Sequence, residues 1–231
     1  MVSKEIQRKF LAYKEKYSDK YSKEAWKYIE EHFFENIHNS ETPDILMQIY
    51  TELGIVPPIR NFYHKHLRLL KRIFPLDGNI VEVASGRMPA LANLIAGEQR
   101  KIGKGTITIY EPLLVEMTPK YPNMTLHKEY FYKDTDISDA DLVVGVMPCE
   151  ATELILENAI KNNKDFYVAM CGCVHSPLDY MFGFYSTSPK IYQEQVISNA
   201  RSLLKENGDG TLEITKLKNT PFDYPILYRK K

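Results

Sequence analysis

An α/β fold, with a mostly parallel sheet closed by an antiparallel last strand behind an N-terminal helical region, is what this sequence predicts. Three observations carry the prediction. Residues 3 to 73 show helical spacing and no convincing strand. After "FPLDGN" the chain changes to short apolar runs alternating with helical segments. It ends in "GTLEITKL" and "YPILYRKK", two short strand-like runs joined by a turn. Strands that alternate with helices build right-handed βαβ units, and hence a parallel sheet.

Composition sets the frame. At 231 residues the chain is long enough to bury a sizeable core, and 44% hydrophobic with 26% charged residues is ordinary for a globular protein. Thirty basic residues against 30 acidic leave no net charge, so nothing global points to nucleic acid. "MVSKEIQRKF" has no apolar signal-peptide core, and no run approaches the roughly 18 apolar residues of a membrane span. The reading is therefore a cytoplasmic protein without a membrane partner. Three clustered cysteines, Cys149, Cys171 and Cys173, do not form the even framework of a disulfide-bonded secreted domain and are read as thiols.

In the first part, Phe10, Tyr13 and Tyr17, and then Ala25, Ile29, Phe33 and Ile37, recur at three-to-four spacing. Thr42-Pro43-Asp44 reads as a helix start and Gly54 as its stop, giving a helix near 43 to 53. Pro57-Pro58 opens another, ended by Pro75, so about four helices are expected. Sixteen tyrosines against one tryptophan, many in the first 65 residues, suit helix contacts whose hydroxyls stay wet. The division is a helical region over 1–75 and a sheet domain over 76–231.

In the second part, strands are expected at 80–84, 106–110, 124–127, 141–146 and 166–171, with helices at 88–100, 151–162 and 191–206. In an open α/β sheet, ligands bind beyond the carboxyl ends of the strands where the strand order reverses. The first strand ends in "EVASG". Gly86 lets a ligand approach the backbone, and the following helix N-terminus offers free N–H groups. The second strand ends in Tyr110-Glu111-Pro112, where a carboxylate suits the hydroxyls of a ribose. The fourth is followed by Met147-Pro148-Cys149-Glu150 and the fifth by Cys171-Gly172-Cys173.

Taken together, "EVASGRMP", Glu111, "MPCEAT" and "CGC" resemble the class I S-adenosylmethionine-dependent methyltransferases over residues 80–175. The likeness is to members with a His-x-Cys-Asp-x-x-Thr-like segment after strand four and a Pro-Cys-Cys-like segment after strand five. The first turn is also similar to that of small methyltransferase-like proteins reading Glu-Val-Gly-x-Gly-Arg-x-Pro, with Ala84 in place of a glycine. The resemblance implies a Rossmann-like methyltransferase sheet and S-adenosylmethionine as cofactor. It implies that Glu82, Ala84, Ser85 and Gly86 form the cofactor turn and that Glu111, beside Pro112, holds the ribose. Glu129 and Tyr130 would lie beside the adenine, and Met147, Pro148, Cys149 and Glu150 would border the methyl group.

Arg87 has two readings: a bidentate partner for the methionine carboxylate, or a side chain that blocks the pocket. Methyl transfer needs chiefly alignment, so a dedicated base is optional. Glu150 and His175 are the candidates if there is one. The types of Cys149, Cys171, Cys173 and His175 suit a metal, but their spacing matches no standard zinc signature and no metal is assigned. A buried structural role and a part in substrate chemistry are the other readings.

Arg60, His64, Lys65, Arg68, Lys71 and Arg72 surround one helix, which reads as a solvated face ahead of an RNA contact because the chain is neutral. Tyr180, Phe182, Phe184 and Tyr185, in the loop 176–192, suit either a lid shaping an acceptor pocket or packing against the helical half.

The resemblance thus implies methyl transfer to a small-molecule or otherwise unidentified acceptor. The alternatives are aminocarboxypropyl transfer of the nicotianamine-synthase type, and a non-catalytic binding protein that kept the fold. A nicotinamide oxidoreductase is disfavoured, because the turn lacks the glycines that let a pyrophosphate approach.

Overall fold

The structure, a computed structural model, describes residues 4–34, 45–53, 55, 62–115, 118–171, 189–207, 210–217 and 224–231. Four helices come first: α1 (Lys4–Lys16), α2 (Lys23–His32), α3 (Ile45–Glu52) and α4 (Phe62–Ile73). Then follow β1 (Asn79–Val83), α5 (Ala90–Ile102), β2 (Thr106–Tyr110), β3 (Met124–His127), β4 (Leu142–Val146), α6 (Thr152–Lys161) and β5 (Asp165–Ala169). The chain ends with α7 (Pro189–Glu206), β6 (Glu213–Thr215) and β7 (Ile226–Arg229). The helix starts read at Thr42-Pro43 and Pro57-Pro58 and the stop at Gly54 lie outside the described residues, as does Ile37. Among the described residues no helix is long and apolar enough to cross a membrane.

The seven strands form one sheet in the order β3-β2-β1-β4-β5-β7-β6. β1 to β5 are parallel, while β7 runs antiparallel to both β5 and β6. The expected Rossmann-like α/β sheet with an antiparallel closing strand is therefore the observed fold. The closing pair is the expected antiparallel, hairpin-like one, with its second strand on the inside. β7 slots between β5 and β6, so its Leu227 is fully buried and β6 becomes the edge.

Alternation along each strand divides the core. Ile80, Ile107, Ile109, Val144, Tyr167 and Ile226 face α4 and α5, whereas Val81, Val83, Val143, Phe166, Val168 and Leu227 face α6 and α7. α4 thus buries Phe62, Leu67 and Leu70 on the sheet, although it belongs in sequence to the helical half. Its outward face carries His64, Arg68, Lys71 and Arg72, all exposed, with Lys71 paired to Glu98 of α5.

Among the described residues no helix intervenes between β2 and β3 or between β3 and β4. Phe131, Ile137 and Ala140 from the second of these connections fill the core where a helix would lie. Asn158 of α6 ties that connection down by donating to the carbonyls of Tyr132 (3.2 Å) and Thr135 (2.9 Å).

A third cluster belongs to the N-terminal helices: Phe10, Trp26, Ile29, Phe33, Ile49 and Tyr50 are buried, with Phe10 stacked on Phe33 at 4.1 Å. The Ser22 hydroxyl accepts from the Ala25 N–H at 3.2 Å and starts α2. Some tyrosine hydroxyls here are satisfied inside the protein and are not wet, contrary to the sequence expectation. Tyr13 donates to Glu52 at 2.6 Å, and Tyr50 donates to the Phe33 carbonyl at 2.5 Å. Burial makes the surrounding water scarce, so these polar ends bond across helices.

Candidate functional site

The sheet order reverses between β1 and β4, and the carboxyl ends of these strands hold the unusual backbone of the molecule. Ala84 (φ 55°) follows β1, and Met147 (φ 54°) and Cys149 (φ 48°) follow β4. All three are non-glycine residues in the left-handed region, at a cost of about 1–3 kcal/mol each. The one other such residue among those described, Asn163, sits in an ordinary turn after α6, where asparagine is tolerated. Strain at the switch point and nowhere structurally comparable marks it as the candidate site. It also explains why β1 stops at Val83, one residue short of the sequence reading, since Ala84 has left the β region.

Ala84 retains one sheet contact, its N–H donating to the Tyr110 carbonyl at 2.9 Å. Two residues later Gly86 turns the chain at φ 75°, and apart from its chain neighbours no atom of the described residues lies within 4 Å of where a Cβ would stand. The turn therefore has an open side at a position that favours glycine. Its N–H points the other way, donating to Glu111 Oε2 at 3.0 Å. The second Glu111 oxygen accepts from the Leu113 N–H at 2.8 Å, so the carboxylate is clamped between the turns after β1 and β2. Among the described residues each oxygen accepts this one bond, which leaves it a second acceptor site. Glu111 is 5% exposed.

Glu82 lies deeper, 1% exposed, and burial pushes its carboxyl up to about 8. The Ala92 backbone N–H in the first turn of α5 opposes that shift, and the negative charge of Glu111 adds to it. Among the described residues its buried Oε2 has no hydrogen-bond partner. An orphaned buried carboxyl oxygen is an expensive feature for a purely structural residue. Ser85, also buried, donates its hydroxyl to the Gly86 carbonyl at 3.2 Å.

Arg87 is half-buried, with its guanidinium carbon 4.3 Å from the centre of the Tyr28 ring on α2. Its carbonyl accepts from the Val115 N–H at 3.1 Å. Met88 and Val115 pack into the N-terminal aromatic cluster, so the outer half of the turn is held by the helical region.

The remaining sequence candidates are placed as follows. Pro112 is half-buried beside Glu111. Glu129 is exposed and meets the His127 ring at 3.2 Å, and Tyr130 is 61% exposed. After β4, Pro148 is buried, Met147 continues the ladder to the Ala169 carbonyl (2.8 Å), and the Cys149 thiol lies 3.5 Å from the Met147 carbonyl. Glu150 is exposed. β4 and β5 are neighbours as expected, and Cys171 is buried at the end of β5. Cys173, His175 and the aromatic loop with Tyr180, Phe182, Phe184 and Tyr185 lie outside the described residues.

Three features escaped the sequence reading. Tyr28 gives no local signal, because its link to Arg87 spans the two halves of the chain. Tyr110 and His127 stack face to face at 4.8 Å beside Glu111, a pairing set by strand register. On the other side of β4, His66 bonds Tyr167 through Nδ1 at 2.7 Å, and burial drives its imidazole down to about 3. His66 is therefore neutral.

No family model matches the chain, and no curated protein sequence matches it. Its neighbours among solved structures include many S-adenosylmethionine-dependent methyltransferases. A fibrillarin from Aeropyrum pernix, solved with natively bound S-adenosyl-L-methionine, is similar over 74% of this chain and 76% of its own, at 15% identity and TM-score 0.46. The precorrin-6y C5,15-methyltransferase of Geobacter metallireducens is similar over 72% and 86%, at 16% identity and TM-score 0.41. A variant of MtNAS, a nicotianamine synthase in complex with S-adenosylmethionine, is similar over 87% and 70%, at 11% identity and TM-score 0.41.

Proposed function

We propose that this chain is an S-adenosylmethionine-dependent methyltransferase whose cofactor site is the turn after β1 together with Glu111. The observation that carries the reading is the pair of carboxyls around an open glycine. Glu111 is held by the Gly86 and Leu113 N–H groups, and Glu82 has a buried Oε2 with no partner among the described residues.

These residues fit the cofactor chemically. A carboxylate clamped by two backbone donors is preorganised, and its remaining acceptor sites suit a vicinal diol. A buried carboxyl with an orphaned oxygen suits an ammonium group, which supplies both the missing hydrogen bond and the charge that keeps the acid ionised. The open side of Gly86 lets a ligand approach the main chain. Tyr110 and His127, stacked at the neighbouring strand ends, offer a flat apolar flank for a base.

When bound, S-adenosylmethionine supplies an electrophilic methyl group on a sulfonium centre. The protein's part is to hold that end against the acceptor and exclude water. The strained Met147 and Cys149 after β4 are the side chains assigned to that border. Exposure leaves Glu150 free to meet an acceptor as a base, although alignment alone can supply much of the rate. Residues 1–75 are assigned as the region that covers the site and 76–231 as the cofactor-binding domain.

Calorimetry with S-adenosylmethionine and S-adenosylhomocysteine tests the reading. Binding at micromolar concentration is expected, and a protein that binds neither compound would sink it. The product released from the cofactor then separates methyl transfer, which yields S-adenosylhomocysteine, from aminocarboxypropyl transfer, which yields methylthioadenosine.

A further inference from the structure

The turn after β1 is electrostatically one-sided. Glu82 and Glu111 bring two buried carboxyls to it, and between residues 79 and 99 the one basic residue is Arg87. Carboxyls alone suit an ammonium and a diol but repel a carboxylate, whereas an α-amino acid group carries both signs. Arg87 adjoins Gly86, and no carboxylate pairs with it among the described residues.

Its placement is fixed from two sides. The Val115 N–H holds its carbonyl at 3.1 Å, and the Tyr28 ring lies 4.3 Å from its guanidinium carbon. An aromatic face engages a guanidinium through its π surface and leaves the N–H donors for a planar anion. The guanidinium is half-buried, so such an anion would meet it in a partly dry setting where a charge-assisted pair is strong.

We infer that Tyr28 of the N-terminal helical region positions Arg87 to receive the carboxylate at the amino-acid end of the cofactor, so that the cofactor site is completed across the two halves of the chain. This rests on the S-adenosylmethionine reading above. Tyr28 is a positioning residue, and Arg87 is the one that touches the ligand.

The test compares S-adenosylmethionine with its decarboxylated analogue by calorimetry on the whole chain. The wild-type protein is expected to prefer the carboxylate-bearing form by roughly 10-fold or more, the value of a charge-assisted pair. Arg87→Met is expected to bring the two within about 3-fold. Tyr28→Leu should reduce the preference by about 2–5-fold, while Tyr28→Phe, which keeps the aromatic face, retains it. In the ligand-free protein, Tyr28→Leu should also speed amide hydrogen exchange over residues 87–92 relative to Tyr28→Phe.

A wild-type protein that binds both compounds equally overturns this inference and leaves the cofactor reading standing. If it binds neither, both fail. The wild-type comparison needs no variant to fold.

Discussion

Replacing Glu82 by glutamine removes a buried acid while keeping its shape and an acceptor for the Ala92 N–H. The folded protein holds this carboxyl at about 8 against an ordinary 4.5. An acid raised on folding stabilises the native state fully below about 4.5, and that contribution drains away as pH rises toward 8. With those two values the wild-type protein loses about 2.5 kcal/mol between pH 6 and pH 9 through Glu82 alone. For a chain of this size that is roughly 5–10 °C in Tm. Glu82→Gln lacks this term, so its curve should fall less over the same range, and the two proteins should converge near pH 5. Other titrating groups act equally on both and cancel in the comparison. Thermal melts in matched buffers read the difference directly. Parallel curves for the two proteins from pH 6 to pH 9 would refute the buried, unpaired assignment of Glu82. The same substitution is expected to weaken S-adenosylmethionine binding by roughly 10–100-fold, since it removes the charge that meets an ammonium. Wild-type binding at pH 7 should release a proton, seen as a buffer-dependent binding enthalpy, and Glu82→Gln should release none. Stability gained and binding lost at one residue is the trade expected of a functional group.

Gly86→Ala tests the open turn. Its φ of 75° costs an alanine about 1 kcal/mol, yet among the described residues its new methyl meets no atom beyond its chain neighbours. The expected result is a small drop in Tm with a large drop in cofactor affinity. Glu111→Gln leaves one acceptor oxygen for two backbone donors, so it should destabilise by about 1–3 kcal/mol in denaturant titration and weaken cofactor binding more than 10-fold. His66, held neutral with its imidazole driven down to about 3, acts in the opposite sense to Glu82. Its contribution is complete above about 6.5 and is lost as pH falls toward 3, so His66→Gln should blunt the loss of stability on that acid side. Between pH 4.5 and 6.5 the two groups have opposite slopes and nearly cancel, which predicts a plateau there in the wild-type melting curve.

Much of this protein was determined by sequence alone, because the signals concerned are local. Four N-terminal helices, parallel strands with helices after β1, β4 and β5, and the β2 and β3 boundaries all follow from spacing, turn residues and β-branched runs. So does the proximity of "EVASG" and Glu111, since strands in a parallel sheet bring their carboxyl ends to one edge. Tertiary structure decided what depends on a partner distant in sequence. β7 lies between β5 and β6, where the backbone groups on both of its sides are paired, a placement that depends on strands distant in sequence. Ala84 occupies a glycine-like conformation because the turn is held by Tyr110 on one side and the clamp on Glu111 on the other. Arg87, left by its sequence between filling the pocket and serving it, sits against Tyr28 because a half-buried arginine with no carboxylate partner among the described residues is best placed over an aromatic face. Periodicity reports which side of an element is apolar, but which group meets an isolated charge is settled only when the two halves of the chain pack together.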